Sequence, residues 1–461
     1  MTTTTTTNTT TPLPDRTRPF SSLHPDKTWL DIFFSVTFPL VLPLHRVTQY
    51  SPVQDRDQAI ACMTELRQQG ANLVQSKLQS QFRQWKTIAG CPVVQVDHRI
   101  PRPKQLLVDW GIVTKADLPF RTTGSVPTSD TILVRIFFPL NLLGEKSDDI
   151  VAGLEESEVG CLLANKHLKD LSCLPNDVPL IVGFHGGGLT FGTAYAQDLL
   201  DILLKLLHER QRTPVIFASV EYSLAPEYPF PAAVEEALAC VDHFITTNPR
   251  RPIHLLGNSA GGYLAMVATM ELVRKSPGAI KSALIMCPML NPASDTLSTY
   301  LNSQSSYVPH QYHSWCWRAY LQLADSKDTK PIDESTATLD QRCAQNSNRT
   351  TWNESPYKQQ GKKSLERLIR PAVDLPSSSR LNGADAPMII LTSNRADLLY
   401  SEDQELAKQL QRLGANMTYL DHKGSHTIGT LLDPAACREL VHAWGVALFD
   451  ARQPQTGTAV S

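Results

Sequence analysis

The chain is poor in charge imbalance, in cysteine patterning and in long apolar runs, and each shortage removes a class of function. Its 43 Lys and Arg against 45 Asp and Glu leave a formal net charge of −2 over 461 residues. That balance offers no basic surface for a polyanion, so nucleic acid is not an expected partner. Its nine cysteines are odd in number, scattered from Cys62 to Cys437 and never spaced as CxxC. Neither a disulfide framework nor a zinc ribbon is expected from them, and reduced thiols in a cytoplasmic setting are. No internal period marks a repeat architecture.

The N-terminal "MTTTTTTNTTTPLPD" has no basic stretch followed by an apolar one and does not read as a secretory signal. Ile32 to Leu44, "IFFSVTFPLVLPL", is an apolar run of 13 residues broken by Pro39 and Pro43. A helix needs about 20 apolar residues to cross a bilayer, and proline interrupts helical hydrogen bonding. The favoured reading packs this segment against the body of the protein, with a membrane-surface or anchor role for 32–44 as the alternative.

What is present is a soluble globular composition, 42% hydrophobic and 19% charged. Short apolar runs rich in branched residues at 131–139, 179–184, 214–222, 253–257, 282–288, 387–393 and 417–421 predict strands. Helical spacing at 56–85, 195–210, 232–246, 260–275 and 401–413 predicts helices, most of them between those strands. Such alternation implies a mostly parallel sheet covered on both faces, an α/β fold. The expected division is a disordered N-terminus at 1–27, a cap region at 28–125, a catalytic domain at 126–450 with a cap insertion at 291–380, and a disordered tail at 451–461. Within the insertion, part of 305–325 is expected to be helical.

"LLGNSAGGYLAM" places Gly257, Ser259 and Gly261 as G-x-S-x-G between a predicted strand and a predicted helix. This is the pattern of a nucleophile elbow, in which small flanking residues let a sharp turn project the serine hydroxyl. Upstream, "VGFHGGGLTFG" gives up side chains at Gly186, Gly187 and Gly188 behind an apolar strand. An attacked ester carbonyl becomes an anion, and bare backbone N–H groups can stabilise it. Gly186 and Gly187, with the amide of Ala260 after the serine, are therefore the expected oxyanion donors; His185 is expected to order the loop. The serine needs a base and the base an orienting acid. In the chain order nucleophile, acid, histidine, "ILTSNRADLLYSED" offers Asp397, with Glu402 and Asp403 as competitors, and "YLDHKGSHTIGTL" offers His422 and His426. Position after the predicted strands favours Asp397 and His426. His310, His313 and Cys316 have metal-like spacing without a fourth ligand, and Ser355 with Lys358 makes an isolated S-x-x-K. Both are read as incidental.

"HGGGLTFG", "EYSLAPEYPFPAAVEEALACVDH", "GNSAGGYLA" and the Asp397 and His426 loops together resemble the hormone-sensitive lipase family of α/β-hydrolases over roughly residues 128–450, most of 291–380 excepted. The resemblance implies Ser259, Asp397 and His426 as a catalytic triad, Gly186, Gly187 and Ala260 as the oxyanion hole, and an N-terminal helical cap over the acyl pocket. Asn258 stands where many members have Asp, and Leu398 where many have Pro. The expected activity is hydrolysis of a small-molecule ester of short-to-medium acyl chain, with no cofactor. An acyltransferase or cyclising enzyme using the same triad is the alternative, and a non-catalytic ligand receptor is a third reading that His426 argues against. Oligomeric state is not legible.

Overall fold

A computed structural model describes residues 42–115, 118, 129–143, 153–164, 171–210, 214–302, 308–323, 352, 355–359, 363–371 and 381–450. The expected disordered ends, and residues 32–41 of the apolar run, lie outside the described residues.

Ten strands form one sheet: β1 (Val93–Pro101), β2 (Thr131–Pro139), β3 (Leu154–Glu156), β4 (Leu162–Ala164), β5 (Leu180–Phe184), β6 (Ile216–Glu221), β7 (Ile253–Asn258), β8 (Ile280–Met286), β9 (Met388–Asn394) and β10 (Met417–His422), in the order β10-β9-β8-β7-β5-β6-β2-β1-β4-β3. From β6 through β10 every pairing is parallel, while β2 joins β6 and β1 antiparallel. The central strands β5 and β7 are buried along their whole length. A parallel strand covered on both faces needs a continuous apolar run rather than alternation, which is why these runs stand out in the sequence.

The longer helices are α1 (Arg56–Ala89), α2 (Gln197–Glu209), α3 (Ala232–Thr247), α4 (Ala260–Lys275), α5 (His310–Leu321), α6 (Tyr400–Arg412) and α7 (Pro434–Gly445). Local chemistry sets their ends. Asp433 caps α7 by accepting the amides of Ala435 at 2.7 Å and Ala436 at 3.2 Å, with Pro434 in the first turn. Gly90, at φ 72°, closes α1 in the left-handed conformation.

Helix α1 connects the two sides of the core. Ala59, Met63 and Leu66 belong to the cluster packed with α3, α4, α5 and α6, whereas Leu78, Phe82 and Trp85 belong to the cluster packed with α2 and α7. At 1.5 Å per residue its 34 residues reach about 50 Å. It is a single rod without proline, and its middle passes over the cavity described below.

The region expected as a cap over 28–125 also supplies a strand of the sheet. Only part of it overlies the cavity, since Val93–Pro101 pairs with β2 along nine residues as an inner strand of the sheet. Its alternation of apolar with polar residues hid it, because Gln95 and His98 are buried against partners from distant segments: Tyr195 Oη donates to Gln95 Oε1 at 3.0 Å, and the Nε2 atoms of His98 and His243 lie 3.1 Å apart. The insertion contributes α5, within the 305–325 stretch expected to be helical. No helix among the described residues is long and apolar enough to cross a membrane.

Candidate active site

The residues singled out in the sequence sit on loops that follow the carboxyl ends of β5, β7, β9 and β10. Ser259 occupies a single-residue turn between β7 and α4 with φ 57° and ψ −119°, a conformation unfavourable for a residue with a side chain. The strain is held from both sides: its amide donates to the Met286 carbonyl at 2.8 Å, and its carbonyl accepts from Met289 at 3.1 Å. Gly261 is required by packing, because a Cβ there would collide with the Phe184 carbonyl oxygen. The elbow thus sits directly against the end of β5, from which the glycine loop leaves.

In that loop Gly187 has φ 110°, and a Cβ on it would collide with the Phe191 carbonyl. Gly186 lies so close to the serine that an added Cβ would stand 3.4 Å from Ser259 Cβ. His185 lies beneath, stacked on Tyr222 with ring centroids 4.2 Å apart, and Tyr222 Oη donates to the His185 carbonyl at 2.7 Å. Burial pushes the His185 imidazole below its usual range.

Asp397, fully buried, meets His426 Nδ1 at 2.6 Å through Oδ2, and its Oδ1 accepts the Leu399 amide at 3.2 Å. Two loops are zipped together to achieve this. Asn394 Nδ2 donates to the Ser425 carbonyl at 2.8 Å, Thr430 Oγ1 donates to Asn394 Oδ1 at 2.8 Å, and the Ala396 amide donates to Gly424 at 2.9 Å. The competing residues go elsewhere. His422 stays at the end of β10, its Nδ1 3.1 Å from Thr430 Oγ1, and Glu402 accepts the Leu290 amide at 2.8 Å.

Asp403 is also buried, and neither carboxylate oxygen meets a hydrogen-bond partner among the described residues. Burial, and then the carboxylates of Asp397 and Glu402, push its pKa well above the usual value. The folded state therefore holds a proton that the unfolded chain releases above about pH 4, and stability falls as pH rises from there towards the folded-state pKa. Asp403→Asn removes that proton uptake. Thermal unfolding followed from pH 4 to pH 8 should show a midpoint near wild type at pH 4 and higher by a few degrees at pH 8.

Ser259 and His426 line one cavity of about 650 Å³ together with Gly186, Gly187, Asn258, Met289, Leu398 and Leu399. Its roof comes from the two regions expected as caps, with residues the sequence did not single out for it: Arg67, Gly70, Ala71 and Val74 from the middle of α1, and Tyr312, His313 and Cys316 from α5. Arg67 pins the roof down. Its guanidinium holds Glu227 through two bonds, of 2.6 and 3.0 Å, and donates to the carbonyls of Thr190 at 2.8 Å and Ala225 at 2.9 Å. Gly70 allows the close approach, since a Cβ there would run into the Phe191 ring.

Leu42 and Leu44, at the end of the apolar run, are buried and also line the cavity, and Trp315 Nε1 of α5 donates to the Tyr50 carbonyl at 2.9 Å. Deleting residues 1–20 should therefore leave activity and unfolding temperature near wild type. Deleting 1–50 should uncover apolar cavity wall and change the chain-length profile on a graded ester series. An unchanged profile in the longer deletion would mean that these side chains do not shape the pocket.

Asn258, next to the serine, donates through Nδ2 to Asp198 at the start of α2. Burial raises the Asp198 pKa, and the hydrogen bond from Asn258 opposes that shift. With Asn in the position, only one of the facing groups is a carboxyl, and like-charge repulsion beside Ser259 is avoided.

The only three-residue set among the described residues with donor atoms close enough to hold a metal is Cys287, Asp397 and His426, within 4.8 Å of one another. Burial and the neighbouring Asp397 and Asp403 push the Cys287 thiol well up, which opposes the deprotonation a metal–thiolate bond requires. His310, His313 and Cys316 form no such set among the described residues. Ser355 Oγ accepts the Lys358 amide at 3.2 Å at the start of a short helix, while Lys358 Nζ turns to Glu366 at 3.5 Å.

The strand order, together with a serine at positive φ on a strand-turn-helix, defines a protein of the α/β-hydrolase class. Residues 181–344 match a family model described as alpha/beta hydrolase fold. Over 136 residues the chain is 30% identical to versiconal hemiacetal acetate esterase of Emericella nidulans, covering 29% of this chain and 46% of that protein. Over 229 residues it is 29% identical to hormone-sensitive lipase of Homo sapiens, covering 47% of this chain and 19% of that protein. These alignments span less than half the length of either relative. Among solved structures, a thermostable esterase from Pseudomonas putida superposes with a TM-score of 0.53 at 15% identity, covering 92% of this chain and 98% of that one, a likeness of fold. The chain has the α/β-hydrolase fold, and it is similar over part of its length to hormone-sensitive lipase and to esterases.

Proposed function

We propose that the protein is a serine hydrolase of small carboxylic esters, in which Ser259 carries the acyl group. The observation that carries this reading is the 2.6 Å bond between Asp397 Oδ2 and His426 Nδ1 in a loop pair whose imidazole shares its cavity with a strained serine. With Nδ1–H donated to the carboxylate, Nε2 keeps its lone pair for the serine proton. Ser259 Oγ attacks the carbonyl carbon, His426 accepts the proton and returns it to the leaving alcohol, and water then enters by the same route to release the acid. Negative charge on the former carbonyl oxygen is met by the amides of Gly186, Gly187 and Ala260, which is worth roughly 3–4 kcal/mol per donor in related chemistry. No cofactor has a step in this sequence.

The cavity volume and its apolar walls at Leu398, Leu399 and Met289 suit a short-to-medium acyl chain. The deciding measurement is hydrolysis of p-nitrophenyl esters from acetyl to dodecanoyl, repeated after treatment with a serine-directed phosphonate. The expected result is a maximum in the short-to-medium range that the phosphonate eliminates. Activity insensitive to the phosphonate would overturn the reading.

A further inference from the structure

Thr190 belongs to the glycine loop, yet it does not line the cavity and has no exposed surface. It has no step in the reaction just described. Its surroundings are those of a joint. The Thr190 amide donates to the Gly187 carbonyl at 3.1 Å, the Phe191 amide donates to the same oxygen at 2.9 Å, and the Thr190 hydroxyl lies 3.3 Å from it. A turn of chain is thereby closed on Gly187, whose N–H is one of the proposed oxyanion donors.

The turn is not one the chain would keep unaided. Gly187, Gly188 and Leu189 all have positive φ, at 110°, 66° and 63°, and the last of them carries a side chain. A backbone in that region persists where the surrounding structure over-determines it. Both roof helices supply such a constraint at Thr190. From α5, Tyr312 Oη lies 2.9 Å from Thr190 Oγ1 and Cys316 Sγ 3.3 Å from it. From α1, Arg67 Nε donates to the Thr190 carbonyl at 2.8 Å. Helix α5 sits so close that a Cβ on Gly188 would collide with Cys316 Sγ. With Tyr312 donating to Thr190 Oγ1, the Thr190 hydroxyl keeps its own proton for the Gly187 carbonyl oxygen. Burial pushes the Tyr312 phenol well up, so it retains the proton that this chain of bonds requires.

We propose that Thr190 is a positioning residue for the oxyanion hole: its hydroxyl, bridged to Tyr312, ties the α5 part of the roof to the turn on Gly187 and keeps the Gly187 N–H in place for the developing charge. The proposal rests on reading the Ser259 cavity as an ester site. Because Thr190 is walled off from the cavity, its hydroxyl can act on the reaction only through the loop.

The test uses the full chain, with rates on p-nitrophenyl butyrate normalised to the sites titrated by the phosphonate. Thr190→Val keeps the shape and removes the hydroxyl. It should lower kcat about 10-fold with KM within about 2-fold of wild type, because a displaced donor is felt in the transition state more than in substrate binding. Thr190→Ser, which keeps a hydroxyl, should recover most of that loss, and Tyr312→Phe should lose about as much as Thr190→Val. Combining Tyr312→Phe with Thr190→Val should cost less than about 2-fold beyond either alone, since both remove one bridge. Hydrogen exchange of the peptide covering 186–192, read without turnover, should be about 10-fold faster in Thr190→Val and Tyr312→Phe and near wild type in Thr190→Ser, with exchange elsewhere unchanged. Thermal unfolding reports whether each variant is folded, and Tyr312→Phe carries the same comparison if Thr190→Val is not. Unchanged loop exchange, unchanged kcat, equal losses in Thr190→Val and Thr190→Ser, or additive losses in the double variant overturn the proposal; the last would make the Tyr312 hydroxyl a substrate contact of its own. Faster loop exchange in a protein that cleaves no ester removes the ester reading and keeps the bridge, and hydrolysis with unchanged exchange does the reverse.

Discussion

Ser259→Ala is expected to reduce ester hydrolysis by about 10⁴-fold or more, the scale on which loss of a triad nucleophile is felt. Folding should change little, because alanine at φ 57° meets the same backbone strain as serine and only the hydroxyl is removed. Mass spectrometry after phosphonate treatment of wild type should place the adduct on the peptide containing Ser259, with none in the variant. An adduct on Ser355 would reverse the assignment. His426→Ala should be comparably inactive, and adding it to Ser259→Ala should cost little more, since groups acting on one proton transfer do not contribute independently.

Asp397→Asn is expected to lower the rate by about 10⁴-fold with the fold intact. The side chain is isosteric and can keep an oxygen towards the Leu399 amide, but its NH₂ would then face His426 Nδ1, where Oδ2 now lies at 2.6 Å. That arrangement favours the tautomer with the proton on Nε2, which leaves the serine without a base. Glu402→Gln is the control on the same segment. Its oxygen can still accept the Leu290 amide, and burial already pushes the Glu402 carboxyl well up towards its neutral form, so activity should remain near wild type. If Glu402→Gln were the inactive variant and Asp397→Asn the active one, the acid would have been assigned to the wrong residue of this segment.

The parts of the fold legible in the sequence are those whose physics is local. Strands β5 and β7 are buried on both faces, and a run such as "LIVGF" can hardly be anything else. The elbow is local as well, because a one-residue turn between strand and helix needs small neighbours within two positions. Strand β1 escaped because its buried polar residues are satisfied by Tyr195 and His243, each about a hundred residues or more away in sequence. Choosing among Asp397, Glu402 and Asp403 required a rule about chain order. In the folded chain the choice follows from the Asn394–Ser425 and Ala396–Gly424 bonds between two loops.

By itself, then, the sequence determined the fold class, the turn that exposes Ser259, the bare backbone at Gly186 and Gly187, and the short set of residues able to serve as acid and base. Only the tertiary structure decided which residues of the expected cap regions roof the cavity, and that Arg67 clamps the roof to Glu227 across 160 residues of chain. The physical reason is that hydrogen bonding and burial between segments far apart in the chain depend on where the sheet and its loops bring them. Spacing along a strand or helix carries no record of that placement.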